Sequence, residues 1–318
     1  MLVSVVLPVY NGLPYLKEAI ATILTQDIEF ELIVSDDNSH DGSKEIVQEL
    51  SDSRIRVLTN TTNAGIFGNL NRCIAAAEGQ FIQAFSQDDL MKPGYLASQV
   101  RLLQKYPEAG LVYGTPDCID KNGALIRPHD RDTTPEFIDQ ALYVWIGTYY
   151  GALPPSISSI MVPRRTIEMV GPFDPNYPVA GDIEFYNRVS ERFPILRNME
   201  VLHTIRSHSG MMSAQSSTGP LYLRDELALE KWYRSRWGAE DYRKIKRFRA
   251  MSRGIYHAAW IVRTVRSGRL GEAAAALWRI NRLYPLPWVI WGCALKFLRP
   301  NWRPRPTVSP PPLSFDVQ

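Results

Sequence analysis

Gln80-Phe81-Ile82-Gln83-Ala84-Phe85-Ser86-Gln87-Asp88-Asp89 is an apolar run that ends on paired carboxylates. Adjacent acids at the mouth of a buried strand repel each other unless a cation or hydrogen-bond donors compensate them, so this strand tip is read as a place for a metal. Two earlier segments share the build: Ser4-Val5-Val6-Leu7-Pro8-Val9 runs into Tyr10-Asn11-Gly12, and Leu32-Ile33-Val34 runs into Ser35-Asp36-Asp37-Asn38-Ser39. Each couples a short β-rich run to polar turn residues and then to a helical pattern, the βα rhythm of a parallel sheet. Ligands of such sheets collect beyond the carboxyl ends of the strands. The three tips are therefore expected to converge on a metal and a phosphorylated ligand.

Working outward, the pattern predicts strands near 3–9, 31–36, 54–58, 79–86 and 110–114 alternating with helices near 14–26, 41–50, 66–78 and 93–105. The rhythm then changes. Residues 115–150 read as irregular, Ser156–Val162 as a strand, Arg164–Val170 as a short helix, Asp182–Phe193 as helical and Ile195–Thr204 as extended, before a polar loop over Arg206–Thr218. The fold class is α/β: a mostly parallel, Rossmann-like sheet flanked by helices, with a helical C-terminal extension.

A chain of 318 residues with 45% hydrophobic content has ample material for a core. Cys73, Cys118 and Cys293 are few, odd in number and widely spaced, which indicates neither a disulfide framework nor a zinc site and suits a reducing compartment. Met1-Leu2-Val3 leads straight into a strand, so no signal peptide is read. The net charge of +3 conceals an asymmetry: residues 1–230 carry −11 and residues 231–318 carry +14. The expected organisation is a catalytic unit over 1–220, a basic amphipathic helical region over 221–300, and a Pro-rich tail without fixed structure over 301–318.

Taken in order, Pro8-Val9-Tyr10-Asn11, Asp36-Asp37-Asn38-Ser39-His40-Asp41-Gly42, Asn63-Ala64-Gly65, Gln87-Asp88-Asp89, Gly171-Pro172-Phe173-Asp174, Gly181-Asp182-Ile183-Glu184-Phe185 and Arg206-Ser207-His208 resemble the motif series of family-2-type inverting glycosyltransferases with the GT-A fold. The resemblance covers about residues 3–213. It implies a nucleotide-sugar donor, a divalent cation, Mg²⁺ or Mn²⁺, and an acceptor hydroxyl that attacks the anomeric carbon. By position in that series, Asp88 and Asp89 are the candidates for metal and ribose contacts. The usual acid two positions before Asp88 is replaced by Ser86. His208 is a further candidate for the metal shell, and Arg206 and His208, with Ser213, lie in a loop able to close over the diphosphate.

Asp37 resembles the family's base-binding acid. A carboxylate accepts the N3–H of uracil or thymine, or the N1–H of guanine, so UDP, dTDP and GDP donors stay open. Asn63 is expected near the base or ribose, with Gly65 permitting a tight turn. Pro8, Tyr10 and Asn11 are expected to shape the pocket wall. An alcohol is a poor nucleophile at neutral pH and needs a carboxylate to take its proton. Asp182 is the expected base in preference to Glu184, although Gly181 stands where the family often has a second acid. Aromatic residues Tyr143, Trp145, Tyr149 and Tyr150 are the expected acceptor contacts.

In the tail, Lys231–Arg253 carries nine basic residues interleaved with aromatics, and the apolar run Tyr284–Leu298 is flanked by arginines. Basic residues with tryptophans at the boundary suit an anionic membrane surface. The run is shorter than the ~20 residues a spanning helix needs and holds two prolines, so it is expected to lie in the interface. The alternative is a helical cap on the catalytic unit. The implied protein is an enzyme of cell-surface polysaccharide or glycolipid synthesis, peripheral at the cytoplasmic face of the membrane, with a saccharide or lipid-linked saccharide acceptor and no nucleic acid partner. A phosphoacceptor signalling domain or a nucleic-acid-binding protein using the basic tail are the competing readings.

Overall fold

The computed structural model describes residues 2–128, 133–151, 153–211, 219–299 and 301–311. In chain order the elements of the first half are β1 (Val3–Val9), α1 (Leu16–Leu24), β2 (Phe30–Asp36), α2 (Ser43–Gln48), β3 (Ile55–Thr59), α3 (Gly65–Ala76), β4 (Phe81–Ala84), β5 (Leu90–Met91), α4 (Tyr95–Lys105) and β6 (Leu111–Gly114). They continue with β7 (Asp117–Ile119), β8 (Leu125–Arg127), β9 (Phe137–Ile138), α5 (Gln140–Tyr149), β10 (Ile160–Pro163), α6 (Arg164–Val170), α7 (Gly181–Ser190), β11 (Ile195–Asn198) and β12 (His203–Arg206). Five helices follow: α8 (Gly219–Arg234), α9 (Ala239–Ser252), α10 (Gly254–Arg266), α11 (Leu270–Leu283) and α12 (Leu286–Leu298).

Two compact units result, Met1–Gln140 with Leu153–His208, and Ala141–Ala152 with Ser209–Gln318. The division differs from the boundary expected near residue 220, because Ala141–Ala152 groups with the later helices. In the first unit an eight-stranded sheet has the order β3-β2-β1-β4-β10-β6-β11-β9. β1 pairs in parallel with β2 on one side, Val9 opposite Asp36, and with β4 on the other, Val6 opposite Ala84. Chain order reverses between β1 and β4, the switch point where an open sheet leaves a crevice at its carboxyl edge. All seven residues of β2 are buried, as expected of a strand covered on both faces. A second sheet, β5-β12-β7-β8, pairs β12 antiparallel to β5, with Thr204 opposite Leu90. That pairing carries Arg206 toward Asp88-Asp89.

Residues 115–150, expected to be irregular, contain β7, β8, β9 and α5. Strands of two or three residues are too short to show alternation. Seven of the ten residues of α5 are buried, which leaves no polar stripe to betray a helix. The extended segment expected over 195–204 divides into β11 and β12, which belong to different sheets.

Candidate functional site

The carboxyl ends of β1, β2 and β4 are joined by hydrogen bonds rather than merely adjacent. Asp37 N donates to Val9 O at 2.8 Å. Asn11, in the left-handed region at φ 49°, donates from its backbone N to Ser39 Oγ at 3.0 Å and accepts from His40 N at 2.9 Å. Tyr10 is half-exposed, and its backbone N and O are both held by the Gln87 amide, at 2.8 and 3.0 Å. Pro8 lies in β1 opposite Ser35. Asn11 thus ties the first tip to the second, and Gln87 ties the first to the third.

Asp37 is buried, and its Oδ1 accepts from Asn60 Nδ2 at 2.6 Å and from Ala64 N at 2.8 Å. Asn60 is itself fixed by Asp36 O, Asn69 Oδ1 and the Arg72 guanidinium. Those donors orient one carboxylate oxygen and leave Oδ2 to accept from a ligand. Asn60, Asn69 and Arg72 were missed in the sequence reading. Only the place of Asn60 just past β3 hinted at a role, since it repeats the polar-tip pattern. Asn63 Oδ1 accepts from Gly65 N at 2.9 Å, and Gly65 sits at φ +75°, so both residues shape the turn that starts α3.

The two tip acids differ sharply. Asp88 Oδ2 lies 2.9 Å from His208 Nε2, with both side chains partly open to solvent. Asp89 is buried, accepting from Arg206 N at 2.9 Å through Oδ1 and from Ser158 Oγ through Oδ2. Ser158 Oγ also lies 2.6 Å from Ser86 Oγ, so the serine at the position of the usual acid feeds a hydroxyl chain that ends on Asp89. Burial, then the neighbouring Asp88 charge, push Asp89 up to about 7. Both its oxygens accept from protein donors, so Asp89, expected at the metal, braces β12 to the segment leading into β10. Arg206, expected on the diphosphate, is buried too. Its guanidinium donates to Asp88 O at 3.1 Å and to Glu18 Oε2 at 2.7 Å, and lies 4.6 Å over the Tyr15 ring. The His208 ring packs 4.8 Å from Tyr15 as well, so Tyr15, which nothing in the sequence marked, holds this loop segment to the start of α1.

Oxygen from Asp88 and imidazole nitrogen from His208 form a donor pair that fits Mn²⁺ better than the nearly all-oxygen shell of Mg²⁺. No group of three or more His, Cys, Asp or Glu residues gathers among the described residues. Ser213 lies outside the described residues.

Asp182 stands in the first turn of α7, and its Oδ1 accepts from Ile183 N at 2.8 Å. Burial pushes it up to about 6, within reach of neutral-pH proton transfer. Glu184 is occupied: Arg188 Nε meets its Oε1 at 2.7 Å while the same guanidinium donates to Pro172 O at 2.8 Å, pinning the Gly171-Pro172 turn. A Cβ on Gly181 would fall 2.7 Å from the Phe67 ring. The missing second acid is thus a matter of space. The expected acceptor aromatics lie in the second unit, where Tyr143 and Tyr149 are core residues. There Trp145 Nε1 donates to Val308 O at 3.0 Å, giving the Pro-rich tail a fixed contact that composition did not suggest.

An open α/β sheet with acid-bearing tips at its switch point and a carboxylate at the start of a later helix defines a GT-A-fold protein. Residues 4–154, just under half of the chain, match the family described as glycosyl transferase family 2. An uncharacterized glycosyltransferase of Rickettsia bellii is 30% identical over 222 residues, 68% of this chain and 31% of that protein. The Escherichia coli UDP-Glc:alpha-D-GlcNAc-diphosphoundecaprenol beta-1,3-glucosyltransferase WfgD is 34% identical over 125 residues, 39% of this chain and 49% of that one. The matched region thus spans from 31% to 49% of the length of these curated relatives. Among solved structures, S. aureus TarS 1–349 in complex with UDP-GlcNAc superposes with a TM-score of 0.54 at 19% identity, covering 71% of this chain and 66% of that one. The mannosyltransferase PcManGT of Pyrobaculum calidifontis, in complex with GDP-Man and Mn²⁺, gives 0.54 at 18%, covering 94% and 88%. At those identities the likeness shows the fold.

Proposed function

We propose that this protein transfers a sugar from a nucleoside diphosphate donor to an acceptor hydroxyl with inversion at the anomeric carbon. The observation that carries the reading is the pair Asp88 Oδ2 and His208 Nε2, 2.9 Å apart beyond the carboxyl end of β4, on the same edge of the sheet as Asp37 beyond β2. Asp37 receives the base of a UDP, dTDP or GDP sugar. Asp88 and His208 hold a divalent cation, Mn²⁺ before Mg²⁺, which when bound offsets the charge that develops on the departing diphosphate. Asp89 and Arg206 act one step back, fixing the β5–β12 junction that presents this pair.

Asp182 takes the proton of the acceptor hydroxyl as the new bond forms. A single in-line displacement then inverts the configuration. Glu184, engaged by Arg188, has no part in proton transfer. The acceptor is a saccharide, lipid-linked in the reading that the names of relatives such as WfgD support, and the reaction belongs to cell-surface polysaccharide or glycolipid synthesis at the cytoplasmic face of the membrane.

The test incubates the purified chain with UDP, dTDP and GDP sugars and Mn²⁺ or Mg²⁺, following slow donor hydrolysis and, with an oligosaccharide acceptor, the anomeric configuration of the product by NMR. Cation-dependent hydrolysis of one donor class and an inverted product are expected. A retained configuration, or turnover unaffected by excess chelator, would overturn the mechanism.

A further inference from the structure

Helix α12 faces water with its apolar side. Val289 and Gly292 are buried within the second unit, where Val289 meets Gly254 and a Cβ on Gly292 would strike the Met251 backbone at 2.9 Å. The opposite stripe is Pro287, Ile290, Trp291, Ala294, Phe297 and Leu298, spaced as one helical face, and all six are exposed. Phe297 is 87% exposed, Leu298 73%, Ile290 68% and Trp291 55%. A helix on a water-facing surface carries polar residues along that stripe, so four large apolar side chains in register point to a partner. Helix α11 repeats the arrangement, burying Ala273, Ala276 and Ile280 and exposing Leu270, Leu277 and Trp278.

The charge names the partner. From Leu286 to Pro311 the chain has Lys296, Arg299, Arg303 and Arg305 and no Asp or Glu. Arg282 lies 4.7 Å over the Trp278 ring, placing a cation on the exposed aromatic of α11. An apolar stripe bordered by cations complements a surface that is anionic outside and apolar beneath. A second copy of the chain is disfavoured, since residues 231–318 carry +14 and two such regions repel. The 13-residue α12 is too short to span a bilayer, and no described helix is long and apolar enough to do so.

We propose that the α12 stripe Ile290, Trp291, Phe297 and Leu298 seats in the interface of an anionic lipid membrane, with Lys296 and Arg299 on the headgroups. This deepens the lipid-linked acceptor reading, and it fails separately from it, because vesicle binding needs neither donor nor acceptor. The experiment is flotation of the full chain with vesicles of phosphatidylcholine alone and of phosphatidylcholine with phosphatidylglycerol, at low and high salt. Wild-type protein is expected to float with the anionic vesicles. Lys296→Gln with Arg299→Gln should weaken partition roughly thirty-fold, about five-fold for each basic residue, and only at low salt. Ile290→Ser with Trp291→Gln and Phe297→Ser should remove the salt-resistant part, a loss on the order of a hundred-fold. These side chains are exposed, so an unchanged unfolding midpoint and circular dichroism spectrum will confirm that the variants fold. Failure of the wild type to float with anionic vesicles, or equal flotation of the triple variant, would overturn the proposal. So would a concentration-dependent dimer in sedimentation that the triple variant abolishes, which would assign the stripe to a second copy.

Discussion

Restoring a side chain at Gly181 tests the packing that sets the candidate base. An alanine Cβ there would sit 2.7, 2.8 and 3.0 Å from three carbons of the Phe67 ring, closer than carbon atoms approach without one of them moving. Phe67 has little freedom to yield, being 4% exposed and stacked on Phe173 at 5.6 Å, which stacks on Phe185 at 4.2 Å. Overpacking of this kind costs about 1–3 kcal/mol, and alanine in a helix regains at most about 1 kcal/mol over glycine. Gly181→Ala should therefore lose up to about 2 kcal/mol. Gly181→Asp, which reinstates the acid common in the resembled family, should lose more, since it adds a second desolvated carboxylate beside Asp182. Urea unfolding of Gly181→Ala, Phe67→Leu and the double variant measures the contact. Leucine removes the clashing ring atoms, so alanine at 181 becomes neutral or stabilising in that background, and the coupling should reach ~1–3 kcal/mol. Turnover of Gly181→Asp should fall with donor affinity near wild type, because the first turn of α7 carries Asp182. Strict additivity in the double variant would refute the steric account.

Asp182→Asn should lower turnover by roughly 10²–10⁴ while stabilising the fold at neutral pH. The sign follows from a carboxyl that titrates near 6 in the fold against 3.8 unperturbed: the native state holds its proton more tightly, so this contribution is present below pH ~4, declines as pH rises to about 6 and is then lost. The asparagine gain above pH 6 is up to about 3 kcal/mol, read from unfolding at pH 4 and pH 7.5, and Glu184→Gln should keep near-normal turnover. Asp88→Ala and chelation should each reduce transfer by orders of magnitude with the unfolding midpoint little changed. Asp89→Ala should instead lower stability by about 1–3 kcal/mol for each donor it strands, Arg206 N and Ser158 Oγ, a contrast visible in parallel melts and assays. Asp37→Ala should weaken calorimetric binding of the preferred nucleoside diphosphate by about 1.5–3 kcal/mol; a variant that binds like wild type would remove Asp37 from the base site.

The βα rhythm, the three polar tips and the contrast between an acidic first part and a basic tail could be read from the chain alone, because they are set by side-chain periodicity and turn chemistry within a few residues. Asp37 and Asp182 stood out by their places in the motif series that resembles family-2-type glycosyltransferases, one just past a strand and the other at the start of a helix. What tertiary structure alone decided is which polar groups meet. Asp88 and Asp89 are equivalent in sequence, yet the pairing of β12 with β5 carries the Arg206 backbone N–H onto the carboxylate of Asp89, and the segment before β10 brings Ser158 from 69 positions away to the same carboxylate. That leaves Asp88, and not Asp89, facing His208. Arg206, which the resemblance places near the diphosphate, lies against the ring of Tyr15 and the carboxylate of Glu18, far upstream. The part of residues 115–150 that forms α5 read as irregular because a helix buried on nearly all sides shows no amphipathic period. In each case a buried donor or acceptor must find a partner, and the partner is chosen by strand topology across long sequence separations, where no local pattern carries the information.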